Sequence, residues 1–125
     1  MKRDWGTVKL GEIANINYGY TEKASFSEIG PKFLRITDIQ ENEVNWDTVP
    51  YCIISEIDFQ KYHLKSGDIV FARTGATTGK SYLLNNPPKS VFASYLIKVH
   101  INSNNMLIAG RVWFNYKRVI ETKIN

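Results

Sequence analysis

The sequence predicts a single α+β domain of 125 residues: a strongly curved, mostly antiparallel β-sheet with short helices and a C-terminal helix. Three observations point to it. Short apolar runs, too brief for helices, alternate with clusters of Gly, Pro, Asn and Ser, the punctuation of a strand-rich chain. Only two stretches, one after Ser55 and one after Asn104, carry helix-start signals. Hydrophobic residues make up 43% of the chain and there is one cysteine, so an apolar core must hold the fold without disulfides.

In chain order, residues 8–18 read as a short strand, a helical turn and a second strand. Residues 19–31 form a polar loop carrying Tyr20, Thr21, Lys23 and Ser25. A strand is expected over 32–36, with Thr37, Asp38 and Ile39 turning out of it. Residues 42–50 are turn-rich around a brief extension at Val44, Asn45 and Trp46. Ser55 followed three residues later by Asp58 is an N-cap pattern that opens a helix to about Tyr62. Ser66-Gly67-Asp68 then turns into a hairpin of 69–73 and 80–84. Two more strands follow over 91–93 and 95–100. Asn104 caps a helix from about 105 to 123, in which Met106, Ala109, Trp113, Tyr116 and Ile120 form an apolar stripe with Arg111, Lys117 and Arg118 off it.

Composition narrows the function. No apolar stretch approaches the roughly 20 residues that span a bilayer, and the charged N-terminus lacks the apolar run of a signal peptide; a cytoplasmic protein with no membrane partner is expected. Cys52, between Tyr51 and Ile53, reads as a small buried hydrophobe. The net charge of +4 is unevenly spread. Residues 1–62 carry seven Lys/Arg against ten Asp/Glu, whereas 63–125 carry nine against two. From Ile69 to Ile120 there are seven cations and no acid, which suits a polyanion or an ordinary basic surface.

Two motifs imitate chemistry that the rest of the chain does not support. Residues 73–81, R-T-G-A-T-T-G-K-S, resemble a phosphate-binding loop, yet G-x-x-x-x-G-K-[ST] requires glycine where Thr74 stands, and Gly75 is one residue too close. The following run ends at Asn85-Asn86-Pro87-Pro88, leaving no room for a crossover helix, so strand-turn-strand fits better. Asn86-Pro87-Pro88 resembles the amino-methyltransferase motif, but Lys89 replaces the aromatic that stacks on a flipped base, and there is no glycine-rich donor loop. His63 and His100 lack metal-ligand spacing, and no nucleophile elbow places a serine. No catalytic residue, metal or cofactor is assigned.

The segments W-x-x-V-K-L-G-E-I-A-x-I at 5–16, F-L-R-I-T-D-I at 33–39, the hairpin G-D-I-V-F-A-R-T-G-A-T-T-G-K at 67–80 and S-Y-L-I-K-V at 94–99 make up a pattern. By that pattern the chain resembles a target recognition domain of a type I restriction-modification specificity subunit. The resemblance implies a non-catalytic reader of one half of a split double-stranded DNA target. It further implies a methylase partner that modifies adenine and, through it, a motor-nuclease subunit. Full specificity subunits join two such domains through long paired helices, and this chain stops near Lys123, where such a helix is expected. An isolated domain, a truncated gene, or a half-subunit that forms a homodimer or pairs with a second recognition half all fit. The alternative is an interaction module that docks on a methylase or specificity subunit without reading DNA alone. Burial of the terminal helix stripe favours the reader; exposure of Trp113, Phe114 and Tyr116 favours the module.

A DNA reader needs cations and hydroxyls for phosphates and a few polar side chains for base edges. Two loops and the flanking strand ends supply them: Tyr18, Tyr20, Thr21 and Lys23, then Arg73, Thr74, Thr77, Thr78 and Lys80, flanked by Arg35, Thr37, Asp38, Ser94 and Tyr95. Arg35 or Arg73 matches guanine O6 and N7, and Asp38 matches a cytosine amino group. Arg73 and Asp38 also read as parts of the frame that ties the hairpin to the preceding turn, and Tyr18 and Tyr20 as half-buried core edges.

Overall fold

The computed structural model describes residues 14–72, 80–101 and 106–124, with side chains described for 16–72, 80–100 and 106–115. The elements are β1 (Ala14–Tyr18), β2 (Lys32–Leu34), β3 (Ile39–Gln40), β4 (Glu43–Val44), α1 (Glu56–Tyr62), β5 (Ile69–Ala72), β6 (Ser81–Leu83), β7 (Ser90–Phe92), β8 (Leu96–Ile101) and α2 (Met106–Ile124). Single 3-10 turns occupy Ile36–Asp38 and Trp46–Thr48. The expected α+β class holds, with mostly antiparallel pairing.

The strands divide among three sheets. The largest has the order β1-β8-β5-β6, antiparallel throughout; β2 and β7 form a parallel pair, and β3 and β4 a two-stranded hairpin. β5 lies inside the main sheet and all four of its residues are buried, which explains its unbroken apolar run. Its alternating side chains serve two cores. Ile69 and Phe71 pack with Val99, Ala109 and Val112 beneath α2, while Val70 joins Leu34, Ile39, Leu84, Phe92 and Leu96 on the other face. A third cluster, Phe33, Cys52 and Val91, lies beside α1 and includes the partly buried Tyr20, Phe59 and Tyr62.

Local signals set the element ends. The Ser55 side chain accepts from the Asp58 N–H at 3.1 Å, the expected cap of α1. Glu41 and Asn42 both adopt positive φ, 54° and 63°, as a two-residue turn between β3 and β4 demands. The 32–36 strand stops at Leu34, because Arg35 caps the 3-10 turn through Asp38. Trp46 opens a turn instead of extending a strand, since the Asn45 side chain accepts from the Asp47 N–H. Tyr95 stands in the turn before β8, and β7 begins at Ser90.

The α2 stripe is corrected by one position. Val112, absent from the expected set, is buried to 1% exposure beside Ala109, and Trp113 is half-buried with its Nε1–H donating to Ser81 Oγ at 2.8 Å. Tyr116 and Ile120 lie outside the described side chains. The first strand expected before Ala14, the Asn104 cap and the 73–79 turn fall outside the described residues.

Candidate nucleic-acid interface

The register of the main sheet collects the candidate residues at one end. Tyr18 pairs with Ile97 at the end of β1, Ala72 pairs with Leu96, and the Ala72 N–H donates to the Lys80 carbonyl at 2.9 Å, tying the end of β5 to the residue before β6. The chain leaves β1 through Gly19 into the polar loop. There the Tyr20 N–H donates to the Phe92 carbonyl at 2.8 Å, and Tyr20 bridges Ala93. A Cβ on Gly19 would collide with the Ala93 carbonyl, so only glycine lets this loop lie against the end of β7.

Between that loop, the Arg35–Asp38 turn and the turn before β8 lies a cleft of about 420 Å³. It is lined by Tyr20, Thr21, Glu22, Ala24, Phe33, Arg35, Ile36, Thr37, Ala93, Ser94 and Tyr95. Six residues selected from the sequence therefore meet around one cavity: Tyr20, Thr21, Arg35, Thr37, Ser94 and Tyr95. Glu22 lines it as well. It escaped sequence reasoning that sought cations and hydroxyls, although it stands between Thr21 and Lys23 in the same loop.

Arg35 is locked in place. Its Nε–H and one Nη2–H donate to the two Asp38 oxygens at 3.0 and 2.9 Å, and the Arg35 backbone N–H donates to Asp38 Oδ2 at 2.8 Å. The Asp38 side chain is only 5% exposed, so its carboxylate is committed to this turn, not left open as a lone acceptor. The Asp38 hydrogen bonds push the Arg35 guanidinium further above its ordinary value, against a smaller opposing effect of burial. Tyr20 packs tilted on Tyr62, ring centroids 5.1 Å apart. Its phenol is held above its ordinary value by desolvation and by nearby Asp58 and Glu22, which keeps it a neutral donor.

Around the cleft, Tyr18 and Tyr95 are 61% and 63% exposed, and Thr21, Lys23 and Thr37 are exposed. Lys23 does not line the cavity but sits on its loop. The Lys80 Nζ donates to the Ile36 carbonyl at 3.4 Å, linking the hairpin base to the Arg35–Asp38 turn. Arg73, Thr74, Thr77 and Thr78 lie outside the described residues.

The basic stretch is less uniform in space than in sequence. Lys98 is 7% exposed and turned inward: its Nζ donates to the His63 carbonyl at 3.1 Å and stands 3.9 Å from Asp68 Oδ2. Burial pushes its pKa down, opposed by Asp68, and it offers nothing to a surface polyanion. Lys89 lies over the Phe59 ring, which stacks on His63. His100 Nδ1 stands 2.6 Å from Asp68 Oδ1, so both histidines have structural surroundings. Among the described residues no group of three His, Cys, Asp or Glu is placed to hold a metal ion, and no helix is long and apolar enough to cross a membrane.

Comparison with known proteins gives concordant matches. The family model for the type I restriction modification DNA specificity domain matches residues 2–123. The specificity subunit of the type I restriction enzyme MjaVIII of Methanocaldococcus jannaschii is 40% identical over 73 residues, covering 55% of this chain and 17% of that protein. Among solved structures, a chain of a type I R-M system superposes with a TM-score of 0.67 at 16% identity, covering 94% of this chain and 28% of its own length. The HsdS subunit from Thermoanaerobacter tengcongensis gives 0.60 at 16% identity, covering 78% of this chain and 24% of that one. These structural likenesses concern the fold, and the chain spans under a third of each relative. By the family match over nearly its whole length, the chain belongs to the type I restriction modification DNA specificity domains.

Proposed function

We propose that the chain is a single DNA target recognition domain. It binds double-stranded DNA sequence-specifically, without catalysing a reaction, and reads one half of a bipartite target within a type I restriction-modification system. The observation that carries this reading is the cleft. Arg35, Tyr20, Thr21, Thr37, Ser94 and Tyr95, which come from three separate segments, line one cavity beside the base of the hairpin. Hydroxyls and a fixed guanidinium around one cleft supply base-edge contacts, and Lys23 and Lys80 beside it suit phosphates. Asp38 serves by orienting Arg35.

The proposed partners are the methylase subunit, the motor-nuclease reached through it, and a second recognition half. Cytoplasmic DNA is the substrate this implies. One observation favours an additional docking role. On the outer side of α2, Leu107 and Phe114 are 71% and 55% exposed beside Met106, Gly110 and Arg111, while Ala109 and Val112 are buried on the sheet. The helix thus completes the core and keeps an apolar strip outside, as an assembly surface does.

The test is a binding selection from randomised duplex DNA, with the chain alone and with a type I methylase subunit. A short enriched motif that disappears in Arg35→Ala supports the reading. Salt-sensitive binding with no enriched motif in either arm contradicts it.

A further inference from the structure

We infer that Glu22 is a base-reading residue that works with Arg35, so that the cleft selects one G·C pair through the major groove. The inference rests on the DNA-reading role proposed above and adds a residue and a base pair to it. Glu22 is exposed, lines the same cavity as Arg35, and makes no hydrogen bond or ion pair with the described residues. Of the charged side chains that line the cleft, Arg35 is already paired with Asp38 and Glu22 carries a negative charge, which calls for a neutral hydrogen-bond donor rather than a phosphate.

Base edges meet that requirement. The guanidinium has five N–H donors, and Asp38 occupies two of them along the Nε–Nη2 edge. The remaining three, on Nη1 and the outer side of Nη2, form the end of the fork that matches guanine O6 and N7. A carboxylate beside DNA loses affinity unless a donor faces it, and in the major groove the donors are the amino groups of cytosine and adenine. Next to the adenine amino group stands N7, an acceptor that repels a carboxylate; cytosine has no such neighbour. A guanidinium and a carboxylate lining one cleft therefore complement a G·C pair, with Arg35 on the guanine and Glu22 on the cytosine amino group. Asp38 is a positioning residue in this scheme.

The experiment runs the duplex selection in parallel on the wild-type chain, Glu22→Ala, Glu22→Gln and Arg35→Ala, with thermal unfolding of each variant to show that the fold is kept. The wild-type motif is expected to contain a position restricted to G·C. Arg35→Ala abolishes that restriction. Glu22→Ala relaxes it by about tenfold and tightens binding to mixed-sequence duplex, because a negative charge has left the interface. Glu22→Gln shifts the same position towards A·T, since an amide both donates to N7 and accepts from the amino group of adenine. A Glu22→Ala motif identical to wild type, with Arg35→Ala altered, overturns the role of Glu22 and leaves the DNA-reading role standing. A wild-type chain that enriches no motif overturns both.

Discussion

At the scale of single residues, the Arg35–Asp38 pair fixes how Arg35 stands in the cleft wall. Both lie in the segment F-L-R-I-T-D-I, so their importance was legible in the sequence. Their relation was not, because a three-residue spacing suits a turn as well as two separate base contacts. In the structure Asp38 takes two side-chain donors and the backbone N–H of Arg35, which makes it a cap and an orienter together. Asp38→Asn keeps the size but weakens both side-chain bonds. It is expected to blunt sequence discrimination while leaving mixed-sequence DNA binding unchanged or tighter, as competition between cognate and mixed duplex would measure. Cys52 gives a prediction of a different kind. Burial, with a smaller contribution from Glu22, pushes its thiol from the ordinary 9.0 to about 11. A group whose folded pKa is raised contributes stability that is intact below the unfolded value and is lost as pH rises through the folded one. Stability is therefore expected to fall between about pH 9 and pH 11 by an amount that Cys52→Ala removes, and the native thiol should react slowly with alkylating reagents at pH 8. Denaturant melts of the two proteins across that range check it.

At the scale of elements, the readable features were those set by neighbours in sequence. The Ser55 cap, the 66–68 turn and the hairpin around 73–79 needed only local patterns, and the described parts of each stand where those patterns put them. What depended on distant partners was hidden. Lys98 was drawn inward by Asp68 and the His63 carbonyl, and Val112 was turned onto the sheet. Two element-level predictions follow from such contacts. Trp113→Phe removes the donor to buried Ser81 and should cost about 1–2 kcal/mol in chemical denaturation. Gly19→Ala places a methyl group against the Ala93 carbonyl, at the point where β1 passes into the loop of Tyr20, Thr21 and Glu22. It should displace that loop and weaken cognate DNA binding at least tenfold, whereas the exposed Lys89→Ala should not; a binding titration of both variants separates the two.

At the scale of the whole molecule, the class was legible from short strands and capped helices, but the division of those strands among three sheets was not. Strand order is a matter of long-range pairing: β1 at the start of the described chain pairs with β8 near its end, and β5 fills the next place. That order brings segments around residues 20, 36, 80 and 95 to one end of the molecule, while α2 closes the opposite face of the main sheet. The molecule thus presents a polar cleft at the sheet end and an apolar strip on the outer side of α2, and the proposed function places DNA on the first. The most direct measurement is an amide chemical-shift map of the isotope-labelled chain titrated with mixed-sequence duplex DNA at low ionic strength, followed by salt. Shifts are expected to concentrate at 18–23, 35–38, 80 and 94–95 and to reverse as salt rises. Shifts confined to the outer face of α2, with the cleft unmoved, would contradict that placement.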